Sequence, residues 1–120
     1  MKILQDIWII YQGGSVIFKE VIDSEVNTQI FGGYISALTT FATQITAKGM
    51  SAFEVGDKNF IIQNEGKLMF IANYPSNLDR KAANKELEGL IKKFQKLYPK
   101  DIFEHWNGDV SIFDYFKTQI

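Results

Sequence analysis

Two stretches of the chain carry hydrophobic residues at helical spacing, and the first covers residues 23–48. Apolar side chains recur there on one face of a period of roughly 3.6 residues, at Ile30, Phe31, Tyr34, Ile35, Leu38, Phe41, Ala42 and Ile45. Asp23, Ser24 or Asn27 can cap the start of this helix, and Gly49 suits a left-handed cap at its end. We expect the stripe to pack on a sheet as ordinary core.

The second helical stretch is charged over its whole outer face and ends at a proline. Its core positions are Ala83, Leu87, Leu90, Ile91, Phe94, Leu97 and Tyr98. Its outer face holds Arg80, Lys81, Lys85, Glu86, Glu88, Lys92, Lys93 and Lys96. Ser76 or Asn77 can cap its start. Beyond the proline we expect one or two helical turns over residues 101–106 and a final short helix capped by Asp109 or Ser111.

Alternating or continuous apolar runs predict five strands, at residues 3–11, 15–22, 50–55, 59–63 and 67–74. The first run is apolar on both sides, as in a central strand. Gly13 and Gly14 supply the positive φ of a tight reversal, so the second run returns antiparallel to the first. Lys19 and Glu20 suit a sheet edge. The last three runs are joined by short turns, and the predicted class is α+β with a five-stranded antiparallel sheet.

The outer face of the first helix is unusual because residues 26–47 contain no Asp, Glu, Lys or Arg. A solvated helix normally carries charge, as the second helix does. Either another segment, such as the C-terminal tail, covers this face, or a partner does. We predict that two copies, or this chain and a homologue, pair these helices and join their edge strands over residues 50–55. The predicted interface residues are Gln29, Gly33, Ser36, Ala37, Thr40, Thr43, Ala52 and Phe53.

Composition adds bounds on class and compartment. A chain of 120 residues that is 46% hydrophobic and 22% charged is one globular domain, residues 1–120. The formal net charge of −1 argues against electrostatic attraction to nucleic acid. Zero cysteines exclude disulfides and thiol chemistry. We expect a cytoplasmic protein without a transmembrane segment, reaching membranes only through partners.

No residue pattern indicates catalysis, a cofactor or a metal ion. The only histidine, His105, is expected at the surface or in packing beside Trp106. The carboxylate pairs Asp6 with Glu20 and Asp101 with Glu104 are expected to be surface charges. The lysine row of the second helix is diluted by Glu86 and Glu88, so this mixed charge indicates a solvated face; the row consists of Lys85, Lys92, Lys93 and Lys96.

The glycines of this sequence do not form a phosphate-binding loop. Gly13 and Gly14 lie between two strands, where no helix N-terminus can receive an anion. Gly66 and Lys67 lack the upstream glycine that a Walker loop needs. We therefore expect no nucleotide hydrolysis by this chain.

The element order resembles a known family. The first hairpin, residues 31–38 (FGGYISAL), the three-strand meander and residues 106–109 (WNGD) with Phe113 together resemble a longin-like domain of the longin/roadblock superfamily. The resemblance implies the sheet order 2-1-5-4-3, with the long helix on one face and the later helices on the other.

The same resemblance implies a function, because longin and roadblock domains serve in trafficking adaptors, tethering complexes and regulators of small GTPases. We expect a non-catalytic protein-interaction domain, a platform or subunit for a small-GTPase regulator or a trafficking-type complex. The alternative is a PAS-like small-molecule sensor. PAS-like domains usually place several short helices between the second and third strands, where this chain has one long helix.

Overall fold

The computed structural model describes residues 1–21 and 28–120 of the chain. Within them five strands form one antiparallel sheet in the order β2-β1-β5-β4-β3. The strands are β1 (Asp6–Tyr11), β2 (Ser15–Glu20), β3 (Ala52–Val55), β4 (Lys58–Glu65) and β5 (Leu68–Pro75). The helices are α1 (Thr28–Ile45), α2 (Arg80–Leu97) and the two 3-10 helices η1 (Lys100–Glu104) and η2 (Val110–Gln119). The predicted fold class and strand order are confirmed.

The sheet separates two hydrophobic layers, and the alternation of β1 shows why. Ile7 and Ile9 belong to the core that the sheet shares with α2, whereas Trp8 and Ile10 belong to the core that it shares with α1. Successive strand residues point to opposite faces, so one apolar run serves both layers. Since α2 and η2 pack on one face and α1 on the other, the predicted placement of the helices is also confirmed.

Two glycines fix how α1 meets the sheet. Gly14, in the β1–β2 turn, has φ of 100°, a left-handed value that glycine adopts without strain. A methyl group at Gly32 of α1 would collide with the Gly14 carbonyl oxygen and lie 2.8 Å from Val16 Cγ2. At Gly33, the next residue, a methyl group would meet nothing within 4 Å. Another backbone therefore approaches α1 closely at Gly32 and not at Gly33.

The ends of the two long helices differ from their predicted positions. The predicted caps Asp23, Ser24 and Asn27 lie outside the described residues. The C-terminal end of α1 is Ile45, and Gly49, with φ of 69°, closes a separate turn by donating to Thr46 O at 3.1 Å.

The caps of α2 and η2 follow the rule that a side-chain oxygen takes an early helical N–H. Helix α2 is capped by Asp79, not by Ser76 or Asn77, and the Asp79 carboxylate accepts from Ala82 N at 3.3 Å. Helix η2 is capped by Asp109, as predicted. The Ser111 hydroxyl and N–H both donate to Asp109 Oδ1, and they lower the pKa of that carboxyl.

Two carboxylates that were expected in solvent have structural partners. Asp6 is fully buried, accepts from Asn73 Nδ2 at 3.0 Å and lies 3.8 Å from Lys58 Nζ, so its prediction as a surface charge is wrong. Glu86 is half-buried and accepts from the N–H groups of residues 2–4 over 3.0–3.3 Å. Sequence patterns cannot show either, because the partners lie far away along the chain.

The C-terminal segment does not cover α1. Phe113 and Phe116 of η2 are fully buried in the layer of α2, and Phe116 lies edge-on to Phe18 of β2 with ring centroids 5.1 Å apart. One of the two explanations for the uncharged face of α1 was that the C-terminal tail covers it. Because η2 lies on the opposite face of the sheet, it cannot cover α1. That explanation is therefore wrong for the described tail.

The glycine pair gives a matched test of the packing. Gly32→Ala should lower the free energy of unfolding by about 1–3 kcal/mol, because the added methyl overpacks a backbone contact. Gly33→Ala should raise it by about 0.5–1 kcal/mol, because alanine is the better helix former and the site is open. Urea unfolding of both variants, at one low protein concentration, measures the two signs. Equal effects would contradict the contact.

Candidate functional site

The hydrophobic stripe of α1 is only partly core. Ile35 is buried, but Ile30, Tyr34, Phe41 and Ile45 are 70%, 65%, 58% and 71% exposed. The prediction that the whole stripe is ordinary core is wrong for these four side chains. We call them the exposed row of α1.

Helix geometry explains the exposed row. At about 100° per residue, the eight apolar positions span an arc of about 140°, wider than the strip that one helix lays against a sheet. The contact point of α1 is Gly32, at one side of that arc, because only glycine lets the helix backbone reach the β1–β2 turn. The other side of the arc is therefore turned toward solvent.

The exposed row lies on the side of α1 that is directed toward the β4–β3 half of the sheet. Gly32 abuts the β1–β2 turn, while Phe31 lies over Trp8 and Phe60, with ring centroids 4.4 and 6.5 Å away. Going around the helix from Gly32 past Phe31 leads to the exposed row. These side chains thus flank the sheet on the side of β3, away from β2.

Strand β3 extends this apolar surface. Among the described residues β3 pairs with β4 alone, so its second edge is unpaired. Phe53 is half-buried and stacks on Phe60 at 4.6 Å, and Val55, on the same face of the strand, is 59% exposed. The only charged residue of β3 is Glu54. An unpaired edge with one charge is suited to pairing with another strand.

The structure describes the burial of all eight predicted interface residues, whose role in an interface stays a prediction. Gly33, Ala37, Thr40, Thr43 and Gln29 are exposed on α1, and Ser36 is half-buried. Ala52 and Phe53 are half-buried on β3. Around the helix, Ala37 and Gly33 lie next to the exposed row, whereas Ser36 and Thr43 lie nearer to Gly32, and Ser36 Cβ borders Gly14 in the β1–β2 turn. The prediction from sequence placed the four side chains of the exposed row in the core and did not include them in the interface. A signal was present in the width of the apolar arc.

The threonines make this surface less polar than their hydroxyl groups suggest, because these hydroxyls already donate to carbonyl oxygens of α1. Thr40 Oγ1 donates to Ser36 O at 2.8 Å, and Thr43 Oγ1 donates to Thr40 O at 2.7 Å. Thr39 Oγ1 donates in the same way to Ile35 O at 2.9 Å. A hydroxyl that bonds to its own helix needs less from solvent, so covering Thr40 and Thr43 costs little desolvation.

Other chemistry finds no support around this surface. Within residues 1–21 and 28–120, no three His, Asp or Glu side chains converge as a bound metal ion requires. His105, Asp101 and Glu104 are exposed, as expected, and Glu20 is half-buried with Lys117 Nζ 3.6 Å from its carboxylate. None of the described helices has the length and hydropathy needed to cross a bilayer.

Solved structures share this architecture at low sequence identity. A Roadblock/LC7 domain from Streptomyces avermitilis matches with a TM-score of 0.63 and 12% identity, over 78% of this chain and 84% of that one. MglB of Myxococcus xanthus matches with a TM-score of 0.58 and 13% identity, over 78% and 85%. The gliding protein MglB of Thermus thermophilus matches with a TM-score of 0.57 and 6% identity, over 70% and 72%.

No protein-family profile and no curated protein matches the sequence. The structural matches establish that the chain has the roadblock fold of the longin-like group. The resemblance found in the sequence is thereby confirmed at the level of the fold.

A pair of phenylalanines tests the assignment of the two sides of α1. Phe41→Ser should change the free energy of unfolding by no more than about 0.5 kcal/mol, because the side chain is 58% exposed and serine has a similar helix propensity. Phe31→Ser should cost about 2–4 kcal/mol, because Phe31 packs on Trp8. Urea unfolding at low protein concentration measures both. A large loss at Phe41 in the monomer would place that side chain in the core.

Proposed function

We propose that this chain is a non-catalytic protein-interaction domain that pairs with a second copy, or with a homologue, through α1 and β3. The observation that carries the proposal is an α1 surface that has no charged residue and yet exposes Ile30, Tyr34, Phe41 and Ile45. Contiguous apolar surface of this kind on a soluble domain marks an interaction site. The comparison with α2, whose outer face is charged, supports this interpretation.

A second copy fits the chemistry of this surface. An uncharged face can meet its own copy without like-charge repulsion, and a two-fold dimer uses the same patch on both subunits. Gly33 has open space around it and Ala37 is small, which favours close approach of a second helix. One MglB structure is described as having a tetrameric arrangement, so assembly occurs on this fold.

The size of the interface requires β3 as well as α1. A helix of 18 residues is about 27 Å long and about 10 Å wide, and one face of it falls short of the roughly 800 Å² per partner of a standard interface. Joining the two β3 edges adds main-chain hydrogen bonds and brings Phe53 and Val55 into the contact. The dimer would then hold one continuous sheet.

The partner class follows from the longin-like resemblance. We propose that the paired domain is a platform or subunit for a small-GTPase regulator or a trafficking-type complex. It acts in the cytoplasm and meets membranes only through its partners. The roadblock fold supports this assignment, since it is the fold of the family on which the sequence inference was based. Because the sequence shows no motif of a catalytic acid, base or nucleophile, we propose that the domain catalyses nothing itself.

A PAS-like sensor is less favoured. Between β2 and β3 the described part of the chain has the single helix α1 over Thr28–Ile45, where PAS-like domains usually have several short helices. The uncharged face of α1 also has no role in such a sensor.

Association is tested by gel filtration with light scattering at tens of micromolar. We expect the wild-type protein to be a dimer and Thr40→Arg to be a monomer, since a buried unpaired charge at the helix contact is costly. Glu88→Arg, on the exposed face of α2, is the matched control and should remain dimeric. A monomeric wild-type protein, or a state indifferent to Thr40→Arg, would sink the proposed dimer.

The partner class is tested separately by affinity capture from the native host. Immobilised wild-type protein should enrich small GTPases in extracts loaded with a non-hydrolysable GTP analogue or with GDP, with a clear preference for one nucleotide state. A recovered GTPase should then bind as purified protein, and the domain alone should hydrolyse no GTP. Capture of metabolic enzymes without GTPases would contradict the platform function, even if the dimer forms.

A further inference from the structure

A cleft of about 440 Å³ lies on the face of the sheet opposite α1, between the β4–β5 turn, the last turn of α2 and η1. Its volume is within the range of small-molecule sites, roughly 300–1,000 Å³. No part of the proposed dimer surface borders it. The cleft therefore calls for its own explanation.

The floor of the cleft is apolar and rigid. Tyr11 of β1 and Leu68 of β5 are paired in register, and Phe103 of η1 stacks on Tyr11 with ring centroids 5.8 Å apart. All three are half-buried, so their side chains remain reachable from the cleft. Tyr98 adds a ring that is fixed against Phe94 and Phe113. Fixed aromatic and branched surfaces of this kind bind an apolar body at little entropic cost.

The rim of the cleft carries both signs of charge. Glu65 and Lys67 stand on the β4–β5 turn, and Lys100 and Glu104 stand on η1. All four are exposed, and no ion pair or side-chain hydrogen bond joins any of them to another residue in the described ranges 1–21 and 28–120. Two cations and two anions thus surround one apolar floor without neutralising each other.

We propose that this cleft binds a small zwitterion with an aromatic or branched apolar body, of the size of an aromatic amino acid or a dipeptide. The apolar body would cover Tyr11, Leu68 and Phe103. The ammonium and carboxylate groups would pair with the glutamates and lysines of the rim.

Charge complementarity favours a zwitterion over singly charged ligands. A simple anion would gain from Lys67 and Lys100 but would meet Glu65 and Glu104 at the same rim, and a simple cation would meet the reverse. The last turn of α2 adds the negative end of a helix dipole beside Tyr98, which further favours an ammonium group at that side. An internal peptide segment has neither terminal charge and would leave the rim unpaired.

Binding is measured by titrating the isotope-labelled protein with three probes and following backbone amide shifts. The probes are L-tryptophan, tryptamine, which lacks the carboxylate, and indole-3-propionate, which lacks the ammonium group. L-Tryptophan should give saturable shifts at Gly66, Lys67 and Phe103, with Kd on the order of 1 mM, as expected for so small a ligand. Each analogue should bind about two- to fivefold more weakly, the effect of one exposed ion pair.

Charge reversal at the rim makes the test specific. Relative to the wild-type protein, Lys100→Glu should shift the ranking of the analogues toward tryptamine, and Glu104→Lys should shift it toward indole-3-propionate. Both residues are exposed, and neither change should disturb the fold. Lys92→Glu, exposed on α2, leaves the cleft unchanged and should keep the wild-type ranking.

Three results would overturn the proposal: no saturable shift with L-tryptophan at concentrations well above the expected Kd, shifts centred on α1 and β3, or a ranking that does not respond to Lys100→Glu. Because Thr40 lies on the opposite face of the sheet, Thr40→Arg should bind L-tryptophan as the wild-type protein does. Failure of the dimer and failure of the cleft are thereby distinguishable.

Discussion

The contact between Gly14 and Gly32 determines how α1 is placed on the sheet, and with it which side chains of α1 remain in solvent. It lets the backbone of α1 reach the β1–β2 turn, at the β2 edge of the sheet, and any side chain at Gly32 would push the helix away. A helix held at this point cannot also turn the full width of its apolar arc inward. Ile35 and Phe31 pack on the sheet, and the far side of the arc, from Ile30 to Ile45, remains outside.

The two long helices differ in the residues that they place on the side facing away from the sheet. Helix α2 has its apolar positions buried, from Ala83 to Phe94, and carries charged side chains, most of them lysines, over its outer face. Helix α1 has no charge at all, and its outer threonines direct their hydroxyls to their own backbone carbonyls. Exposed lysines hold water and resist association, whereas the surface of α1 loses little hydration when it is covered. The contrast within one chain is the strongest physical reason to assign the α1 side to a partner.

The sequence was sufficient for the sheet and insufficient for the rotation of α1. Alternation along β1 and positive-φ glycines in the turns are local features, so the strands and their tight reversals followed from them, whereas the strand order and the layers followed from the family resemblance. The rotation of α1 about its own axis depends on Gly14 and Gly32, which lie in different elements. The spacing of apolar residues within one helix contains no information about such a contact. The buried Asp6 and the anchoring Glu86 were missed for the same reason, because their partners, Asn73 and the N–H groups of residues 2–4, are remote in sequence.

The geometry of the two layers gives a further argument for the proposed dimer. Five strands spaced about 4.8 Å apart span about 19 Å between the outer strand axes, and a helix with its side chains is only about 10–12 Å across. On one face of the sheet α2, η1 and η2 together cover the strands. On the other face α1 is the only covering helix in the described structure, and it is held toward β2. A strip of the sheet over β4 and β3 is therefore left uncovered by α1. On this strip Phe53 is half-buried and Val55 is exposed. In the proposed dimer, α1 of the second copy would cover this strip and complete the layer, because its uncharged surface matches that of the first α1.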